Sequence, residues 1–208
     1  MPPVIFISTS EDLASMLASL KDLPTSPPSL YIDLEGAKPS YCRHGTIALL
    51  TLYVPPKETV CLIDIHTLGA RAFSTPATTT TTTTATAPLG TTLNIEDITK
   101  DAGVRATTLK SPLESPTVPK VFFDVRNYSH ALFSHYGINL SCIHDIQLMD
   151  LANTIRSSRN YLVALSKIIE YNASRLPITP TQVQFSRTTK EAGTKLIAPE
   201  RGSRYKVF

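Results

Sequence analysis

Hydrophobic and polar positions alternate along the first third of the chain in a way that separates strands from helices. Val4–Ile7 is a short apolar run that predicts a strand, followed by Ser8, Thr9 and Ser10 as capping residues. From Glu11 to Leu20 the apolar residues Leu13, Met16, Leu17 and Leu20 fall on one helical face. Pro24, Pro27 and Pro28 close that segment with a turn. Leu30–Leu34, Thr46–Val54 and Thr59–Ile65 are then apolar, β-branched runs joined by short turns at Arg43-His44-Gly45 and Pro55-Pro56-Lys57, which predicts an antiparallel meander.

His66–Phe73 predicts a short helix. Between 74 and 92 the pattern vanishes into a threonine-rich tract with seven consecutive threonines, Thr78–Thr84. Such a composition cannot offset its ordering entropy by burial, so it is expected to be a disordered insertion within the domain. Helical patterning resumes near Thr107, where Pro112 is expected to break or kink it. Val118–Asp124 predicts a further strand and Ser129–Tyr136 a helix stopped by Gly137. A short strand at Cys142–His144 leads to Asp145 as N-cap of a helix over Ile146–Arg156, and another helix is expected over Tyr161–Tyr171. Past Asn172 the pattern fades into a polar, basic tail. A meander followed by alternating strands and helices predicts a mixed α/β sheet with helices on its faces.

Composition narrows the class. The 208 residues, 42% hydrophobic and 18% charged, suit one globular domain spanning 1–208. Cys42, Cys61 and Cys142 are odd in number and far apart, forming neither a disulfide framework nor a CxxC metal site, and an intracellular location, nuclear or cytoplasmic, is expected. No apolar run approaches the ~20 residues of a membrane span. The net charge of +3 permits nucleic-acid binding without arguing for it, because the Lys and Arg are dispersed until the tail.

The candidate chemistry lies at Asp33-Leu34-Glu35. At a strand end, carboxylates at i and i+2 share one face of the sheet. Two such groups repel unless a hard cation lies between them, and Mg²⁺ or Mn²⁺ is the cation that carboxylates select. Two such ions about 4 Å apart can activate water and stabilise the leaving oxygen of a phosphodiester. A solvated strand terminus is the plain alternative.

The runs Tyr31-Ile-Asp-Leu-Glu-Gly36, Arg43-x-Gly45-Thr-Ile-Ala-Leu-Leu-Thr-Leu52 and Leu62-Ile-Asp-Ile65, with Leu68-Gly69, resemble the opening of DEDD-type 3′–5′ exonuclease domains. That family includes ribonuclease D, the Werner exonuclease and Egalitarian-like proteins. Leu113-Glu-Ser115, Lys120-Val-Phe-Phe-Asp-Val-Arg-Asn127, Ala131-Leu-Phe133, His135-Tyr-Gly-Ile138 and Asp145-Ile-Gln-Leu-Met-Asp-Leu-Ala152 continue it, in the manner of fungal members. The resemblance implies an RNase H-like α/β fold with a mixed five-stranded sheet and helices on both faces. It also implies two-metal hydrolysis from a single-stranded 3′ end of DNA or RNA, with Mg²⁺ or Mn²⁺ as cofactor. Asp33 and Glu35 match the first motif and take its catalytic and metal-binding roles. Arg126 and Asn127 match the start of the second and are candidates for touching nucleic-acid phosphate.

The chain departs from that pattern at Tyr128, which occupies the catalytic Asp position of the second motif, and at His130, which replaces its second Asp. The third motif is expected beyond Tyr205, so the resemblance implies that the C-terminal part of the domain is missing after Phe208. Asp64 and Asp145 are explained by strand-end and capping roles, His130 by the helix surface. The basic tail, Lys190, Lys195, Arg201, Arg204 and Lys206, is read as solvated, with contact to backbone phosphate as the alternative. The active exonuclease, a catalytically inactive nucleic-acid- or protein-binding pseudo-exonuclease, and a truncated reading frame that does not fold stably are the three alternatives.

Overall fold

The computed structural model describes residues 2–37, 45–78, 107–153, 162–185 and 187–188. Six strands form one sheet in the order β1-β4-β3-β2-β5-β6. They are β1 (Val4–Ile7), β2 (Leu30–Ala37), β3 (Thr46–Val54), β4 (Thr59–Asp64), β5 (Lys120–Phe122) and β6 (Ile143–Asp145). β2, β3 and β4 make the expected antiparallel meander. β1 joins β4, β5 joins β2 and β6 joins β5, all in parallel. The architecture is the RNase H-like mixed α/β sheet, with six strands where five were expected. The count of five comes from the resemblance; the hydrophobic pattern itself marks six strand candidates, Val4–Ile7 and Cys142–His144 among them, and all six pair into the sheet.

Alternation along the meander builds the core on one face. Ile32 lies opposite Leu52 and Leu34 opposite Leu50, and Leu50 and Leu52 lie opposite Ile63 and Cys61 on β4. All six are buried. Helix α1 (Ser10–Ser19) begins where Thr9 accepts the Asp12 N–H at 3.1 Å and adds Leu13, Met16 and Leu17 to the same cluster. Burying each such side chain contributes about 1.5–3 kcal/mol. The opposite face carries Tyr31, Asp33 and Glu35 against Tyr53, Thr51 and Leu49.

Two short helices, α2 (Ile65–Leu68) and α3 (Arg71–Ser74), replace the single one expected over His66–Phe73. Gly69 separates them at φ 57°, a backbone that only glycine adopts without cost. The threonine-rich insertion expected over 74–92 lies outside the described residues from 79 onward. Its first residues are held: Ala77 N–H reaches Thr107 O at 3.0 Å and Thr78 N–H reaches Ala14 O at 3.2 Å. Helix α4 (Lys110–Glu114) accommodates Pro112 because the residue falls in the first turn, where no intrahelical N–H is required.

Helix α5 (Val125–Tyr136) starts four residues before the expected Ser129, and Gly137 at φ 61° stops it as expected. Helix α6 (Ile146–Asn153) covers the described part of the segment expected to Arg156. Helix α7 (Leu165–Asn172) begins later than Tyr161, which is itself outside the described residues. Residues 180–185 are helical although the pattern had faded there. The basic tail from 189 and the Arg43-His44 turn lie outside the described residues. Among the described residues no helix is long and apolar enough to cross a membrane.

Candidate functional site

Strand β2 carries Asp33 and Glu35 toward the face opposite the core, as i, i+2 spacing requires. A β-bulge falls at this point: Glu35 pairs with Leu49 and Gly36 with Ile47, leaving Ala48 as the extra residue on β3. Such an insertion bends the strand and re-aims the side chain beside it. Burial, and then the neighbouring Asp33 charge, hold the Glu35 carboxyl above the usual carboxylate range. The two acids therefore make a site that a cation would relieve.

Tyr128 enters this site from α5. Its hydroxyl donates to Asp33 Oδ1 at 2.6 Å, the length of a charge-assisted O–H···O⁻ bond. The ring packs at the edge of the core, with its centroid 6.4 Å from that of Phe122. A tyrosine at the position where the resemblance implies a catalytic Asp thus spans the gap that a cation ligand would fill.

The placement of α5 depends on Asp145. Its carboxylate, 7% exposed, accepts the N–H groups of Asp124 at 3.1 Å, Val125 at 3.0 Å and Gln147 at 2.9 Å. It serves the start of α6, as the capping expectation held, and also the start of α5. This second role explains the early start of α5. Asp124 at its N-terminus sits at φ 57° and makes no side-chain cap, so no local signal marks the boundary. It also means that two N–H groups at the head of α5 already have an anion.

Arg126 is exposed and paired with Asp124, Nε to Oδ1 at 2.7 Å, and Asn127 is exposed beside it. Both lie in the first turn of α5, on the same helix as Tyr128. His130 is exposed on α5, and Asp64 caps α2 through the Thr67 N–H at 2.9 Å. Asp33 and Glu35 are hard oxygen donors of the kind that divalent cations select. Among the described residues no cluster of three or more His, Cys, Asp or Glu side chains could hold a metal ion, and the carboxylates at this point are Asp33 and Glu35.

Lys120 is a feature the sequence did not single out. It is 0% exposed in β5, and its ammonium donates to Pro112 O and Ser115 O, both at 2.8 Å. Burial lowers its pKa to about 8. Its place inside an apolar strand is the only local hint, because the carbonyls it serves belong to α4 and the turn after it.

No family model and no curated protein matches the chain. Solved structures do. The ribonuclease D of Trypanosoma brucei in complex with GMP superposes with a TM-score of 0.56 at 20% identity, over 90% of this chain and 47% of that one. The same enzyme in complex with RNA U12 gives 0.54 at 19% identity, over 88% of this chain and 50% of that one. A further T. brucei ribonuclease D structure gives 0.53 at 20% identity, over 90% and 53%. The chain spans about half the length of these relatives. At such identity the likeness concerns the fold: this chain has the RNase H-like α/β fold of the ribonuclease D structures.

Proposed function

We propose that this chain is a 3′–5′ exonuclease-type domain that binds the single-stranded 3′ end of a nucleic acid, DNA or RNA, over Asp33 and Glu35. The observation that carries this is the pairing of those carboxylates on one sheet face, with Glu35 held above the usual carboxylate range beside Asp33. The ribonuclease D-like fold supports it.

Mg²⁺ or Mn²⁺ held by Asp33 and Glu35 would supply charge neutralisation of a phosphodiester and a more acidic water. The protein's own contribution is to hold two oxygen donors side by side and to border them with the Tyr128 ring. Arg126 and Asn127, at the head of α5, are the side chains we assign to the phosphate backbone. Arg126 would exchange its Asp124 partner for phosphate, an Arg-phosphate pair being well matched in geometry.

A second reading, binding without cleavage, is favoured by the hydrogen bond from Tyr128 to Asp33. One pair of assays separates the two. Labelled single-stranded DNA and RNA are titrated with the full chain at several salt concentrations, and the same oligonucleotides are incubated with Mn²⁺ and followed for loss of 3′ nucleotides. Salt-sensitive binding with 3′ shortening that Asp33→Ala abolishes supports the nuclease. Salt-sensitive binding with no shortening supports the binding module, and no binding at low salt rejects both.

A further inference from the structure

Strand β1 forms one edge of the sheet, with β4 on its inner side. Its side chains are apolar and open to solvent: Val4 is 61%, Ile5 49% and Phe6 58% exposed. We propose that this edge pairs with the same edge of a second copy of the chain, antiparallel about a twofold axis at Ile5, so that two sheets become one.

The hydrogen-bonding phase of β1 selects this partner. Val60 donates its N–H to Pro3 O at 2.9 Å, and the parallel register sets Val4 beside Val60 and Ile5 beside Cys61. Along a strand, the N–H and C=O of one residue point to one side and those of the next residue to the other. Pro3, Ile5 and Ile7 therefore turn their polar groups toward β4, and Val4 and Phe6 turn theirs outward. An antiparallel ladder alternates pairs that exchange two hydrogen bonds with pairs that exchange none. Centring the twofold axis on Ile5 meets this requirement. Val4 then bonds with Phe6 of the second copy, Phe6 with its Val4, and the two Ile5 residues form the closer, unbonded pair between them. Sliding the ladder by two residues would bring in either Pro2, which has no N–H to give, or Ser8, which lies past the end of β1.

Side-chain chemistry agrees with that register. Residues opposite one another in an antiparallel pair project to the same side of the sheet. Phe6 thus meets Val4 of the second copy on one side, and Ile5 meets Ile5 on the other. Val4 and Phe6 also continue the partly exposed Val60 and Leu62 of β4, on the face that carries Asp33. Residues 2–7 hold no charge, so the axis brings no like charges together across the ladder. An edge strand built to refuse partners carries a charge or a bulge, and Val4–Ile7 has neither. The contact is small. Three half-exposed side chains per copy fall short of the ~800 Å² that each partner buries in a stable interface, so the dimer is a weak one, with a Kd of roughly 0.1 mM.

Two measurements on the full chain test the pairing. Sedimentation equilibrium up to about 1 mM is expected to show the mean mass rising from monomer toward dimer and no further. Phe6→Lys, at an exposed position, is expected to weaken association about tenfold while unfolding at the parent's temperature. Ile5→Cys places two thiols at the axis, where the Cα atoms of an unbonded pair lie about 4.5 Å apart, within disulfide reach. Under mild oxidation it is expected to give a covalent dimer many times faster than Val4→Cys, whose counterpart stands two residues further along the ladder, and than the parent with its own cysteines. A monomer mass up to about 1 mM overturns the proposal, as does association that grows past the dimer. Equal crosslinking of Ile5→Cys and Val4→Cys, or undiminished association of a folded Phe6→Lys, overturns it too. Should Phe6→Lys fail to fold, the two cysteine variants decide alone.

Discussion

The carboxylate of Asp145 accepts the backbone N–H of Val125 at 3.0 Å, joining the end of β6 to the start of α5 across 20 residues of sequence. The same carboxylate holds the N–H groups of Asp124 and Gln147, so one acid organises two helix starts. Replacing it leaves three backbone donors without their acceptor. Asp145→Ala is expected to lower the free energy of unfolding by about 3 kcal/mol, measured by urea denaturation. Asp145→Asn, which keeps one acceptor oxygen, should fall between. An Asp145→Ala protein as stable as the parent would show that water replaces the carboxylate.

Lys120 supplies a pH dependence of definite sign. Its folded pKa of about 8 lies below the ~10.4 of an exposed lysine. Between those values the unfolded chain binds more protons than the folded one, so unfolding free energy rises with pH across that window. Below pH 8 the cost of burying the charge is present in full, offset by the bonds to Pro112 and Ser115 carbonyls. Lys120→Met should remove this part of the slope between about pH 8 and 10, while losing stability at pH 7 because two carbonyls lose their donor. Urea denaturation at each pH reads both effects.

Glu35 has the opposite linkage to a salt-bridged acid. Its folded pKa is raised by burial and by Asp33, so the folded state holds the proton more firmly and stability declines as pH rises through the carboxylate range. In the absence of divalent cation, Glu35→Gln is therefore expected to raise the melting temperature at pH 7 and to have little effect near pH 4. Differential scanning calorimetry at the two values decides it; equal shifts at both would remove the charge from the explanation.

Gly137 ends α5 at φ 61°, and a Cβ there would meet nothing within 4 Å. Space is not the constraint, so the cost of substitution is purely one of backbone. Gly137→Ala is expected to destabilise by ~1 kcal/mol, and Gly137→Asn by less, because Asn tolerates the left-handed region better. Thermal unfolding of the two variants gives the ranking.

The sequence by itself determined the element types and most of their order. Period-two alternation marks β2, β3 and β4, whose Ile32, Leu34, Leu50, Leu52 and Ile63 face one core. Helical spacing marks Leu13, Met16 and Leu17, and the glycine after Tyr136 marks the end of α5. The i, i+2 spacing of Asp33 and Glu35 was enough to put them on one face. These signals are local, carried by residues a few positions apart. What only the tertiary structure decided are the partners: Tyr128 on Asp33, 95 residues away, Asp145 beneath the head of α5, and the carbonyls around Lys120. The bulge at Ala48 belongs with them, since it exists only relative to the neighbouring strand. A side chain's pairing across a sheet depends on register and helix placement, which the packing of the whole core sets, and no spacing along one strand encodes it.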